Sequence, residues 1–458
     1  MTNRTEGRDN GTGVFMAKVG LSEHFTYRKL MRFVFPCIVM MIVTSVYTIV
    51  DGFFVSNFAG KNAFTALNLI YPLLMALGAL GFMIGTGGSA LVSFTIGEGN
   101  KERANRIFTM LVLAIIVAGV ILSAAGFIFI RPIAYALGAT DAIVDDCVLY
   151  GRILLASNVF FMLQNSYQSF LVTAERQTFG LMISLASGVM NVILDFLLVC
   201  VLDLGIGGAA AATAGSQIVG AMIPTVYFLR PNKSLLRFTK TSLDLQALGK
   251  ACSNGASEMM TNLSASVVGM LYNWQLMKLA GEDGVAAYGV ILYMAFIFMA
   301  FFFGYAVGCG PLIGFHYGAG NHTELKNLLK KSLVFTTAVA VVMTAASEVL
   351  AKPLAELFVG YDKALCDMTS RGLAVYSLSF LICGYNIFGS AFFTGLNNGK
   401  ISAFLSFLRT LVFQVAAVFV LPVIMGIDGI WLAVVAAEGL TLVLTVLFLV
   451  TQRKRYHY

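Results

Sequence analysis

The chain has 458 residues, 58% hydrophobic and only 12% charged, with a mean hydropathy of +0.84 and a formal net charge of +7. An average soluble domain carries roughly 25% charged residues, so a soluble fold is excluded, and the continuous apolar blocks predict membrane-crossing helices rather than alternating barrel strands. The positive charge is spread over alternate loops, which excludes a nucleic-acid patch and marks a topology signal instead.

In chain order, residues 1–29 read as a polar cytoplasmic arm without the short apolar core of a cleaved signal peptide. Within it, residues 14–29 alternate apolar and basic groups, a pattern suited to lying along a membrane surface. Six spans follow near 30–53, 66–96, 107–130, 143–172, 178–202 and 207–229. The first holds Pro36 and a polar stripe of Thr44, Thr48 and Asp51; the fourth holds Asn158, Asn165 and Ser169 at helical spacing. In the fifth, Asn191 lies four residues before Asp195, so the two share a helix face, extended by Ser184 and Ser187. The sixth opens with the small-residue run 207–212 and places Thr213 and Gln217 four apart, where small residues let helices approach closely.

A basic linker at 231–250 leads to six more spans near 251–277, 285–316, 327–350, 367–394, 401–425 and 429–450, and to a cytoplasmic tail at 451–458. The first half, 30–230, and the second, 251–450, are thus expected to form two lobes. Glu258 with Asn262 and Ser266 makes a possible second-lobe polar site, and Glu438 with Thr441 and Thr445 another; Arg409 also falls within a span. A carboxylate at mid-helix costs roughly 2.5–3.5 kcal/mol on insertion scales, so Asp51, Asp195, Glu258 and Glu438 each demand a reason. The seven scattered cysteines read as small buried hydrophobes.

Loops on the side of the termini carry 22 Lys and Arg against 7 on the other side. Both termini are therefore expected in the cytoplasm, in a multi-pass cell (cytoplasmic or inner) membrane protein. The chain also repeats itself. At a constant offset of 221, Ala59-Gly60 falls on Ala280-Gly281, Gly97 on Gly318, Asn100 on Asn321, Asn165 on Asn386, and Gly205-Ile206 on Gly426-Ile427. One register held over that distance marks a duplication. Six spans per copy keep the copies parallel, with a substrate site expected in a central cleft between them near the midplane. The same register puts Asp51, Asn191, Asp195 and Thr213 opposite Tyr272, Val412, Ala416 and Val434, so the acidic cluster belongs to the first half alone.

The stretches 50–55, 66–72 and 85–100, with 286–290, 308–313 and 317–321 in the second half, make the chain resemble the multidrug and toxic compound extrusion family over residues 28–450. The resemblance implies two six-helix bundles around a cleft and export of amphipathic, often cationic compounds against inward Na⁺ or H⁺ flow. It implies a cation-coupling site at Asp51, Asn165, Asn191, Asp195 and Thr213, and matches Pro36 to a first-span proline whose kink accompanies coupling. Two positions depart from the family pattern: Asn386 stands where some sodium-coupled members have an acid, and Glu258 lies about two turns before those members' glutamate.

The function expected is a secondary active antiporter working by alternating access, with small-molecule substrates, membrane lipids around it, no nucleic acid and no obligate protein partner. Apart from the coupling ion, no cofactor, metal site or enzyme activity is expected, since no nucleotide loop or nucleophile arrangement is present. The alternative is a flippase for lipid-linked precursors or polysaccharides, whose anionic cargo would call for Lys or Arg in the cleft. A channel or a non-transport anchor would leave the duplicated halves or the buried cluster unexplained.

Overall fold

The computed structural model describes residues 19–59 and 61–458, with the side chains of residues 56, 57, 61 and 64 outside the description. Most of the proposed arm, including Arg4, Arg8 and Lys18, and Gly60 of the repeat lie outside the described residues. The first half contains α1 (Tyr27–Phe54), α2 (Lys61–Gly97), α3 (Lys101–Ala136), α4 (Val144–Thr173), α5 (Gln177–Asp195, carried on by a π-helical turn, Phe196–Val201) and α6 (Gly205–Leu229). A helical run from Leu245 to Gly318 begins the second half. Its 74 residues turn back at Gly281, whose φ of 64° and ψ of −149° leave the helical region, giving α7 (245–280) and α8 (282–318). The rings of Tyr272 and Tyr288 stack at 5.0 Å across that turn; on a straight helix residues this far apart would stand about 24 Å apart.

The remaining spans are α9 (His322–Val359), α10 (Lys363–Ser377 with Phe380–Gly395, bent by 46°), α11 (Gly399–Met425, with a π-helical turn at Leu408–Val412) and α12 (Ile427–Thr451). Ten single helices among the described residues are apolar and long enough to cross a membrane. Counting the run at Gly281 twice and the bent pair once gives twelve. The chain is an all-α polytopic membrane protein, and no β-strand occurs among the described residues.

The duplication is visible in the backbone. Gly99 and Gly320 both take positive φ, as do Gly205 and Gly426, each pair at the offset of 221. Asn100 accepts the Arg103 N–H at the start of α3, and Asn321 accepts the Glu324 N–H at the start of α9, at 3.0 and 3.1 Å. These Asn caps satisfy amide groups that the first turn of a helix leaves without partners.

The halves meet most tightly on the face that carries Val19 and Tyr458. Gly87 of α2 abuts Ala251 and Gly255 of α7, while Gly304 and Gly308 of α8 abut Cys37, Ile38 and Val34 of α1. On the far side of the midplane, Gly52, Gly269 and Gly289 would place a side chain into open space. Residues 19–26 do not lie along a membrane surface as their pattern suggests. They cross the packed face as a strap, with Leu21 and Phe25 fully buried, because protein provides them a better apolar partner. The Leu21 N–H reaches Glu175 of the first half at 2.8 Å. Glu324 of the second half takes the Phe25 N–H at 2.9 Å and the His24 ring nitrogen at 2.6 Å. The segment 230–244 packs on α3, where Asn105 accepts the Arg237 N–H at 2.6 Å and the Thr109 hydroxyl accepts the Thr239 N–H at 3.1 Å.

Candidate functional sites inside and between the halves

Two cavities are lined by many of the polar groups that the sequence places inside the membrane. The smaller lies within the first half. Asp51 and Thr48 enter it from α1, Tyr71 from α2, Tyr150 and Asn158 from α4, Asn191 from α5, and Thr213 and Gln217 from α6. Close approach of α6 makes this possible. A Cβ on Gly208 would meet the Leu198 carbonyl at 2.8 Å, and one on Gly215 the Leu194 side chain at 2.9 Å. Ser187 of α5 ties the same helices together, donating to the Ser216 carbonyl at 2.7 Å and accepting from Gln164 at 3.2 Å.

Asp195 is fully buried, one turn beyond Asn191, and its carboxyl group faces Asp51, which also faces Thr213. Both Asp195 oxygens, Asp51 Oδ1, Asn191 Oδ1 and Thr213 Oγ1 are buried without a hydrogen-bond partner. Buried polar atoms in folded proteins are nearly always paired, so an unpaired group of this kind calls for an explanation. An all-oxygen set with two facing carboxylates suits a small hard monovalent cation, and the same pair suits a shared proton. No cluster of three or more His, Cys, Asp or Glu side chains with metal-holding geometry occurs among the described residues.

Asn165 stands apart from the other four. It lies two turns beyond Asn158 on the same face of α4, about 10 Å deeper, and lines the second cavity. Its Nδ2 donates to the Phe161 carbonyl at 2.9 Å. That second cavity is a cleft between the halves, walled by Thr44 and Ser45 of α1, Phe82 of α2, Phe296, Met299 and Phe303 of α8, and Glu258 and Asn262 of α7. Glu258 is the only charged residue on this wall among the described residues, and Pro311 of α8 is also part of it. Pro36 sits inside α1, one turn before Met40, and proline there removes a backbone donor from the helix interior.

Glu438 occupies different surroundings from Glu258 and Asn262. It is buried within the second half and accepts from Arg409 Nε at 2.8 Å and from Asn386 Nδ2 at 2.7 Å. The Thr445 hydroxyl donates to Asn386 Oδ1 at 2.9 Å. Both carboxylate oxygens are thus satisfied. At the repeat offset Glu438 corresponds to Gln217, Asn386 to Asn165 and Arg409 to Gly188.

Three tyrosines, Tyr47, Tyr71 and Tyr150, line the first-half cavity without a motif to announce them. Tyr47 precedes Asp51 by one helical turn, and that spacing is the signal that could have found it. The seven cysteines are all free, five of them buried.

A family model described as MatE matches residues 36–197 and again 259–420. The curated proteins similar to this chain include the multidrug export protein MepA of Staphylococcus saprophyticus, 22% identical over 437 residues, with 94% of each chain covered. MepA of Staphylococcus aureus is 21% identical over 432 residues at the same coverage. Among solved structures, a MATE protein in complex with MaL6 superposes with a TM-score of 0.89 at 22% identity, covering 95% of this chain and 97% of that one. A MOP superfamily transporter from Pyrococcus furiosus, reported for the reverse polarity of its binding pocket, superposes at 0.88 with 21% identity, 95% of this chain and 98% of that one.

Proposed function

This chain belongs to the MatE family, the multidrug and toxic compound extrusion transporters, and we propose that it exports amphipathic, often cationic organic compounds in exchange for Na⁺ or H⁺. It is a transporter and not an enzyme. The family name and the relatives named as multidrug exporters support the export reading. The coupling reading is carried by one observation: the unpaired, buried oxygens of Asp51, Asn191, Asp195 and Thr213 converge within one half.

In this reading residues 30–230 and 251–450 are the two lobes, joined by the linker 231–250, and the face with Val19 and Tyr458 is cytoplasmic in a cytoplasmic membrane. The 22-to-7 asymmetry of basic loop residues supports that orientation,. The tightly packed face then closes the cleft to the cytoplasm, and the looser far side opens it outward. Substrate occupies the cleft, while the coupling ion enters the first-lobe cavity from outside. Thr48 and Asp51 of α1 line that cavity, and Thr44 and Ser45 of the same helix line the cleft. A shift of α1 on ion binding therefore alters the cleft wall, and Pro36 is placed where α1 can bend. Export needs the two occupancies to disfavour each other, a coupling that acts in both directions. Asn165, on the cleft wall, joins the substrate side of this coupling.

An anionic lipid-linked cargo is not favoured. It would want Lys or Arg facing the cleft, and the described wall carries a carboxylate instead.

The test is substrate export from proteoliposomes under an imposed Na⁺ or pH gradient, wild type against Asp195→Asn. The variant is expected to lose gradient-driven export by about tenfold or more, as when a charged partner is removed from a buried set. Undiminished gradient-driven export would refute the coupling role.

A further inference from the structure

Glu258 lies on the cleft wall, and neither an ion pair nor a side-chain hydrogen bond joins it to a described residue. One guanidinium, Arg409, lies within electrostatic reach of it. Arg409 is itself 8% exposed and held elsewhere, Nε on Glu438 Oε1 at 2.8 Å. Glu438 is fixed in turn by the Asn386 amide, donated both to its carboxylate and to its backbone carbonyl, at 2.7 and 2.9 Å. The three ionisable side chains are two carboxyl groups and one guanidinium, and the carboxyl group without a partner is the one that faces the cleft.

We infer that Glu438, which does not line the cleft, sets the cleft's preference for monovalent organic cations by holding Arg409 away from Glu258. Glu438 is a positioning residue and Glu258 the group that meets the ligand's charge. The physical reason is the low dielectric of the bundle interior. An unpaired guanidinium is costly there, so Arg409 freed from Glu438 turns to the other carboxylate in range and neutralises it. The cleft then carries no net charge and loses its advantage for a cation over an uncharged molecule of the same shape. The inference rests on the export reading only in taking the cleft as the substrate site.

The full-length protein in detergent is tested by equilibrium dialysis against tetraphenylphosphonium, a permanent monocation, and triphenylphosphine oxide, an uncharged aromatic relative. The readout is the ratio of the two affinities. Wild type is expected to favour the cation. Glu438→Gln is expected to cut the ratio about tenfold, the loss that follows removal of a charged partner. Removing the freed guanidinium as well, in Glu438→Gln with Arg409→Gln, returns the ratio to within about threefold of wild type, since Glu258 is again unmatched. A role for Glu438 in packing alone would not produce that recovery.

Three results overturn the inference: a ratio unchanged in Glu438→Gln, a double variant no better than the single, or wild type with no preference for the cation. Should Glu438→Gln fail to accumulate, Glu258→Gln carries the test, and an unchanged ratio in it is equally fatal. Binding of the cation without gradient-driven export would sink the export reading and leave this one standing.

Discussion

Gly97 and Gly318 hold the two halves together by the same contact made twice. A methyl group on Gly97 would collide with the Phe315 carbonyl, and one on Gly318 would collide with the Phe94 carbonyl. Gly97 and Gly318 are repeat partners, as are Phe94 and Phe315, so the contact lies on the pseudo-twofold axis. Substitution by Ala at either position should therefore loosen the closed face to the same extent. Overpacking costs about 1–3 kcal/mol, enough to raise labelling of a cysteine placed at Ser45 by an impermeant maleimide in inside-out vesicles. Unequal effects of the two substitutions would show that the halves do not close symmetrically.

Asp51 and Asp195 face each other inside the first half, so their effects on transport should not add. Asp51→Asn and Asp195→Asn are each expected to lower gradient-driven export about tenfold or more, and the double variant no further than the worse single. Losses that multiply would mean two independent sites. Initial rates in proteoliposomes at saturating substrate decide between the two.

Glu324 anchors the strap through the Phe25 N–H and His24, and Asn327 of the same helix donates both to Glu324 at 2.6 Å and to the Phe25 carbonyl at 2.9 Å. Hydrogen bonds to a charged group contribute about 1.5–3 kcal/mol each, so Glu324→Ala should loosen the second half's hold on residues 20–26, leaving Asn327 and Lys331 on the Phe25 carbonyl. Trypsin cleavage at Arg28 or Lys29 in inverted vesicles is expected to speed up. Lys352→Ala removes only an exposed pair with Glu356 at 3.9 Å and should leave the cleavage rate unchanged, since such pairs contribute about 0–1 kcal/mol.

Gly281 and Gly426 turn the chain between paired spans at φ of 64° and 59° with ψ of −149° and −137°. That region is close to glycine-only, and a side chain there costs of order 1–3 kcal/mol. Gly281→Ala and Gly426→Ala should each lower the unfolding temperature in detergent. Gly269→Ala, within α7 and facing open space, should not lower it and can raise it, because alanine is the better helix former.

The number of spans, their pairing into halves and the special standing of each buried carboxylate were legible in the amino-acid order. Hydrocarbon offers no partner for a backbone or a charge, so every crossing must be a long apolar helix and every exception stands out. The duplication was legible for a related reason: a turn that needs positive φ keeps its glycine in both copies, as Gly205 and Gly426 do.

Depth and partnership were decided only by tertiary packing. Helical spacing puts Asn158 and Asn165 on one face of α4 but says nothing about which of two stacked cavities each will reach. In the same way Glu258 and Glu438 look alike in sequence, yet one ends on the cleft wall and the other against Arg409, 29 positions away on the neighbouring helix. Small residues fix how near two helices come and how each is rotated, and those two quantities determine which polar atoms find partners and which are left facing a cavity.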